Sequence, residues 1–467
     1  HVTLDLLRSP AGQLVVGGTL TRTNGQTTYV VAAFNEQGQT LWRTEHVSTN
    51  KSENTLRRII QDDSGHLLLT GTSDTLKLSP AGAVLWTAPY SGRDVACDTN
   101  GHAYLTGYRT DDIALLKLDA TAGTNLLERL HDGPRHGDDQ GLGVILDKMQ
   151  AIYVVGREAY HVDRFGDAYR PYLLKYATDG SVLWRQVLPR PFATRPNEFE
   201  WGNIGFVSNV IGMIPAITDG IILNLQLPSY AAWLTYSIDA SGNLRWHSIP
   251  AVPGGGLAAA LCLSPDGRVF LTGHASHEST TAYLTLGFEP DGRESWRAFS
   301  AVGGPPVSRS GNALVHAPPD EVIVTGRDSR HGEPANIRTI AYAAGTGAER
   351  WVVDYLGAAH GHDEGMGVAV DARGAVYVAG HSDNAQGGRD LLLLKYAPAA
   401  RAQVTPGGDV AVTIPAAPGT PVTLEATTDF AAWSAVGTVL AGTNAAARVV
   451  DSNAVQRFPG RFYRPRP

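Results

Sequence analysis

The sequence predicts an all-β repeat fold, and three observations carry that prediction. A tryptophan follows a glycine by four residues again and again: Gly38…Trp42, Gly82…Trp86, Gly180…Trp184, Gly242…Trp246, Gly292…Trp296 and Gly347…Trp351. A seventh copy, Gly123…Leu127, keeps the spacing and replaces the ring by an aliphatic side chain. Short apolar runs close on glycine at 67–71, 104–107, 153–156, 270–273, 322–326 and 376–380. The connections are tight and rich in Asp, Asn and Gly, residues that supply positive φ and local backbone hydrogen bonds. Self-similarity with a period of roughly 40–60 residues points to a ring, a solenoid or an array.

Each unit has four pieces in fixed order. An apolar segment leads into a turn, as in VACDTNG (95–101), LCLSPDG (261–267) and VAVDARG (368–374). The glycine-terminated run follows. After a variable stretch comes a third apolar piece, IALLKL (113–118), YLLKY (172–176) or LLLLKY (391–396). The glycine–tryptophan strand ends the unit. Runs this short, rich in Val, Leu, Ile and Tyr and bounded by turn residues, read as strands.

Four-stranded units repeated about an axis describe the blades of a β-propeller. Units open near residues 3, 57, 93, 142, 204, 258, 311 and 366, so eight blades are expected. Seven is the alternative if the divergent unit at 202–250 is an insertion. The tryptophans are expected to fill the gaps between neighbouring blades. The last unit has no glycine–tryptophan strand. It closes with a strand from upstream of His1, with one from about 402–414, or as a three-stranded blade, the option favoured here. Beyond the proline- and glycine-marked change at 406–408 and 415–421, alternation resumes in short strands. Residues 1–401 are therefore expected to form the propeller and 402–467 a small immunoglobulin-like sandwich.

A chain with 43% hydrophobic and 18% charged residues can bury a large core, and a net charge of −7 argues against a nucleic-acid footprint. No apolar run approaches the roughly 18 residues of a membrane-spanning helix. The first residue is His1 rather than methionine, which suggests either a removed signal peptide or a sequence that begins inside a longer one. Cys97 and Cys262, in equivalent parts of two distant units, are expected to be free, buried thiols.

The units resemble the β-propeller repeat of exported bacterial proteins, with seven-bladed-type repeats and the quinoprotein-like superfamily as its wider setting. Residues 361–396, GHDEGMGVAVDARGAVYVAGHSDNAQGGRDLLLLKY, match its pattern best. The likeness covers roughly residues 1–400. The tail, with LEATTDFAAW (424–433), Asp451 and PGRFYR (459–464), is similar to a C-terminal module of secreted bacterial proteins. The resemblance implies export and a cell-surface or periplasmic role, and brings no catalytic residues with it. Quinone-dependent dehydrogenases also use eight blades, but are marked by an adjacent cysteine pair and a Glu, Asn and Asp metal site. This sequence shows neither. The non-enzymatic propeller scaffold of outer-membrane assembly is closer in kind.

The long connections, 157–171, 190–201, 274–281, 327–336 and 381–389, all fall on one face of such a ring, where binding sites gather. Tyr160, His161, Arg164, Phe165, Tyr169, Phe192, Arg195, Phe199 and Trp201 offer aromatic faces and guanidinium forks suited to a sugar or protein partner, or else fold over one another as a cap. His136-Gly-Asp138-Asp139 and His360-Gly-His362-Asp363 echo each other. Asp138, Asp139, His360, His362 and Asp363 are candidate ligands for a divalent ion such as Ca²⁺. The competing reading is that Asp139 and Asp363 cap a strand start by accepting backbone N–H bonds. The expectation is a non-catalytic exported scaffold without a resident cofactor, binding a protein or polysaccharide. The alternatives are an enzyme on the same face, a polysaccharide lyase or a quinoprotein-like protein, and a subunit of an extracellular assembly.

Overall fold

Eight antiparallel sheets follow one another along the chain, each built from consecutive strands. The computed structural model describes residues 5–22, 24–48, 54–163, 166–189, 209–227, 232–252, 255–277, 280–300, 306–330, 334–396, 401–404, 408–415, 419–428, 432–442, 446–457 and 462–465. Blades 1 to 7 have four strands each and span 5–46, 56–88, 94–131, 140–187, 209–248, 258–300 and 306–355. Blade 8, 363–396, has three. The protein is an eight-bladed β-propeller, and the divergent fifth unit is a full blade. By contacts the chain divides into two compact units, His1–Val368 with Val378–Leu393, and Ala369–Tyr377 with Leu394–Pro467.

Adjacent blades share apolar cores. Val15 and Val31 of blade 1 pack with Leu56, Ile59 and Leu67 of blade 2. Leu173 of blade 4 packs with Leu223, Leu234 and Tyr236 of blade 5. The ring closes where Gly367 of blade 8 lies against Leu6 of blade 1, so near that a Cβ at Gly367 would come within 2.7 Å of the Leu6 side chain.

The glycine–tryptophan spacing is a staple between blades. The indole on one outer strand lies flat on the turn glycine of the next blade. A Cβ added to Gly82 would sit 2.4 Å from Trp42, one at Gly292 2.4 Å from Trp246, and one at Gly347 2.4 Å from Trp296. The glycines also hold φ near +80°, which side-chain-bearing residues avoid. Each ring N–H then donates to a carbonyl just before that glycine. Trp42 reaches Pro80 O at 3.0 Å, Trp184 reaches Ala240 O at 3.0 Å and Trp296 reaches Ala344 O at 2.7 Å. Leu127 takes the same seat against Gly180 without the hydrogen bond.

The lysine of the third strand has an equally structural role. Lys77, Lys117 and Lys175 pair with the turn aspartates Asp62, Asp98 and Asp147 at 3.2–3.6 Å. Lys117 and Lys175 also lie over the rings of Tyr104 and Tyr153. Those aspartates accept the backbone N–H groups of their own turns. The recurrent Asp, Tyr and Lys of the repeat thus lock the tight turns.

Among the described residues five inner strands carry a one-residue bulge, at Arg57, Leu142, Ile211, Ala259 and Asn312. In four of these blades a carbonyl at or just before the inner strand is pressed onto the second-strand glycine. A Cβ at Gly71, Gly156, Gly273 or Gly326 would lie 1.9–2.6 Å from that oxygen, so only glycine fits.

Several expected loops are strand extensions. Ile152–Asp163 and Gly166–Tyr176 pair as one long hairpin, leaving little loop within 157–171. The pairing continues because residues 158–163 and 166–170 keep satisfying each other's backbone groups. Cys97 and Cys262 are free, as expected, but half-buried rather than buried, because both lie on inner strands. Burial pushes their thiols up to about 11 and about 12.

The second unit carries two three-stranded sheets. One orders Arg401–Val404, Val410–Pro415 and Ala446–Asp451, the other Ser434–Leu440, Pro421–Thr427 and Phe462–Pro465. Val412, Ile414, Leu424 and Val449 form their common core.

Candidate functional site

Antiparallel order places the first-to-second and third-to-fourth turns on one face and the remaining connections on the other. The tight-turn face is occupied by the structural Asp–Lys pairs. The opposite face surrounds the mouth of the axial channel, where inner strands begin and second strands end.

A cavity of about 620 Å³ lies among the inner strands of blades 2 to 5. Its wall includes Arg57, Arg58, Arg93, Asp94 and Cys97 beside Val144, Leu146, Val210 and Met213. Deeper in, Arg58 bridges two carboxylates, Asp94 at 3.5 Å and Asp5 at 3.7 Å. Burial raises both carboxyls above their usual range despite that guanidinium. Asp94 also accepts the Val144 N–H at 3.0 Å, tying blade 3 to blade 4.

Cations gather at the mouth. The residue after the second-strand glycine is Arg157, His274, Arg327 or His381 in blades 4, 6, 7 and 8. Arg57 is a bulged residue, and Arg93 immediately precedes the inner strand of blade 3. Burial, then the neighbouring Arg57 and Arg157, lowers the Arg93 guanidinium below its ordinary range. Burial and Arg327 do the same to the His274 imidazole, which is therefore neutral at pH 7. Acids also face this group: Glu364 lies 3.9 Å from Arg327 and 3.8 Å from His381, Asp138 lies 3.6 Å from Arg157, and Asp94 shares the cavity wall but is paired with Arg58. Arg57 and Arg93, with Arg157 beside them, leave this part of the mouth suited to an anionic group.

The two echoing His-Gly-x-Asp segments stand in blades 4 and 8, opposite sides of an eight-membered ring, so the structure does not bring them together. They repeat one local design. Asp139 accepts the Gly133 N–H at 2.5 Å and the Ala159 N–H at 2.6 Å, while its own N–H donates to Asp111 O of the preceding blade. Asp363 accepts the Gly357 N–H at 2.6 Å and donates to Ala335 O of the preceding blade. His136 and His360 both hold φ near +50° to make the turn. His362 accepts the Ala335 N–H, and Asp138 accepts from Gln140. These side chains fasten each blade's start to its neighbour.

In blade 4 the carboxylate gathers other company. Asp112, Asp132 and Asp139 bring carboxylate oxygens within 4.8 Å of one another, a cluster that could hold a metal ion. Burial pushes up the carboxyls of Asp112 and Asp139. Asp112 opens the third strand of blade 3 and Asp132 follows its fourth; both escaped the sequence reading, since nothing in their spacing links them to residue 139.

Of the expected aromatic and arginine contacts, Tyr169 is buried under the Arg157 guanidinium, 4.4 Å from its ring centre. Arg164, Phe165, Phe192, Arg195, Phe199 and Trp201 lie outside the described residues, as do the side chains of Tyr160 and His161. The mouth cations were missed, although the recurrent Arg or His after the second-strand glycine was there to be read.

No protein-family model matches the chain, and no curated protein does. Among solved structures it is similar to a europium-containing methanol dehydrogenase, with TM-score 0.50 and 10% identity over 79% of this chain and 81% of that one. It also matches a quinonprotein alcohol dehydrogenase-like protein from Bacteroides thetaiotaomicron (TM-score 0.41, 15% identity, 64% and 66% covered) and a Synechocystis apocarotenoid oxygenase (0.39, 11%, 70% and 84%). At such identities the first of these likenesses supports the fold alone. A centre of Glu, Asn and Asp metal ligands with adjacent cysteines does not fit the mouth. Asn312 turns its amide N–H to Glu364, whose oxygens also face Arg327 and His381, and the two cysteines stand in blades 3 and 6.

Proposed function

We propose that this is an exported binding propeller whose long-loop face captures an acidic polysaccharide at the channel mouth. One observation carries the reading: Arg57 and Arg93 line an open cavity, with Arg157 beside Arg93, while the opposite face is spent on structural turns. Guanidinium forks match carboxylate and sulfate geometry, and each charge-assisted hydrogen bond contributes about 1.5–3 kcal/mol. The scarcity of cysteine is compatible with export. The second unit, as a small immunoglobulin-like sandwich, would serve as spacer or anchor.

Calorimetric titration tests the reading with oligogalacturonate against neutral malto-oligosaccharide. The acidic chain is expected to bind and the neutral one not, and Arg57→Ala with Arg93→Ala should weaken binding about tenfold or more. Equal affinity for both sugars, or an unaffected variant, contradicts it. Binding should also depend on acidity through His274. Its imidazole is neutral near pH 7 and gains a proton as pH falls below its lowered range, adding positive charge beside the ligand. Affinity is therefore expected to rise on acidification and stay flat above pH 7. Because burial also lowers the His381 imidazole, His274→Gln should reduce the slope and His274→Gln with His381→Gln abolish it in the same titration.

An enzyme on this face is the second reading, and one observation favours it. A neutral imidazole beside an arginine is the pairing by which a uronate lyase would neutralise the sugar carboxylate and take the adjacent ring proton, expelling the neighbouring sugar. Near-ultraviolet absorbance of an unsaturated product would reveal it.

A further inference from the structure

The indole staple has one vacant seat. Seven turn glycines follow the third strands of blades 1 to 7. Six of them meet the outer strand of the preceding blade, at 2.3–3.3 Å from a notional Cβ, and are buried or half-buried. Gly38, the equivalent in blade 1, is exposed and meets nothing within 4 Å. The blade before it is blade 8, which lacks an outer strand.

The third strand of blade 8 shows the same gap. In blades 3 and 7 the third strands Asp112–Leu118 and Asn336–Ala343 are almost wholly buried. Arg389–Tyr396 has no buried residue, and Leu391 is 42% exposed. Its outer edge carries backbone donors and acceptors that pair with no described strand. Such an edge invites strand addition.

We propose that this slot receives a β-strand from a partner polypeptide, running antiparallel to residues 389–393 and seating a tryptophan on Gly38. The occupied seats define the partner's chemistry. An outer strand carries glycine, then tryptophan four residues on, then a polar side chain two further that donates to the turn glycine's carbonyl. Thr44 does so to Gly82 at 2.6 Å, Arg129 to Gly180 at 2.9 Å and Gln186 to Gly242 at 2.8 Å. A second copy of this chain is a poorer donor, because all seven of its outer strands are already paired within their own blades. The site is on the rim, independent of the channel mouth.

A fluorescein-labelled peptide with the sequence of Gly38–His46, GQTLWRTEH, which carries Thr44 two residues after its tryptophan, is the probe. Fluorescence anisotropy on the whole chain should show saturable binding, with slowed amide exchange at residues 389–393. The peptide with its tryptophan replaced by alanine should bind at least about tenfold more weakly, and Gly38→Val should abolish binding by filling the seat. No binding, equal affinity of the two peptides, or protection elsewhere overturns the proposal. Protection of residues 389–393 in a peptide-free dimer overturns it in favour of a second copy.

Discussion

Trp296→Ala is expected to lower the unfolding free energy by about 3–5 kcal/mol, the range for removing a large buried aromatic. The ring is 7% exposed and packs on Gly347, Phe270 and Tyr342, with its N–H held by Ala344 O. Truncation leaves a cavity between blades 6 and 7 and an unmade hydrogen bond. Trp296→Leu should cost much less, since Leu127 occupies the same seat against Gly180. Trp42→Ala should also cost less, because Trp42 is only half-buried. Denaturant melts of the three variants check the order, and equal losses would show that the rings do not seal the blades.

Asp328→Ala should be equally damaging, at about 3–5 kcal/mol. Blade 7 contains a ladder of charge with one member from each strand: Arg309, Asp328, Arg338 and Asp354. Asp328 is shared by Arg309 Nε and by Arg338 Nη1, the latter at 3.0 Å, while Arg338 holds Asp354 by two bonds of 2.7 Å. Arg309 and Arg338 are 1% and 2% exposed. Alanine withdraws the carboxylate that balances two buried guanidiniums. A joint Arg309→Met and Asp328→Leu exchange should recover much of the loss, because well-packed apolar residues can replace a buried pair at little cost. Thermal melts of the two variants decide it. A joint variant no better than Asp328→Ala would mean that shape, not uncompensated charge, sets the penalty.

What was legible in the sequence was whatever is local. Turn chemistry and the Gly-x-x-x-Trp spacing are short-range signals, and they specified eight units including the divergent one. The same spacing foretold the packing of rings between blades. The three-stranded last blade was legible from the absence of that spacing after Tyr396. The charge ladder of blade 7 was not, because an isolated Arg or Asp in a strand reads as a solvated face until its neighbours are known. Nor was the mouth. Arg57 points where it does because of a bulge, and no periodicity reveals a one-residue slip in register. The echo of His136–Asp139 in His360–Asp363 suggested a common ligand set, but the ring puts the two on opposite sides, each serving as a fastening.

The structure of the protein soaked with oligogalacturonate tests the functional reading most directly. A uronate carboxylate is expected within hydrogen-bond distance of Arg57, Arg93 or Arg157, over the cavity among blades 2 to 5. Sugar bound on the tight-turn face or on the second unit, with the mouth left to water, would contradict it.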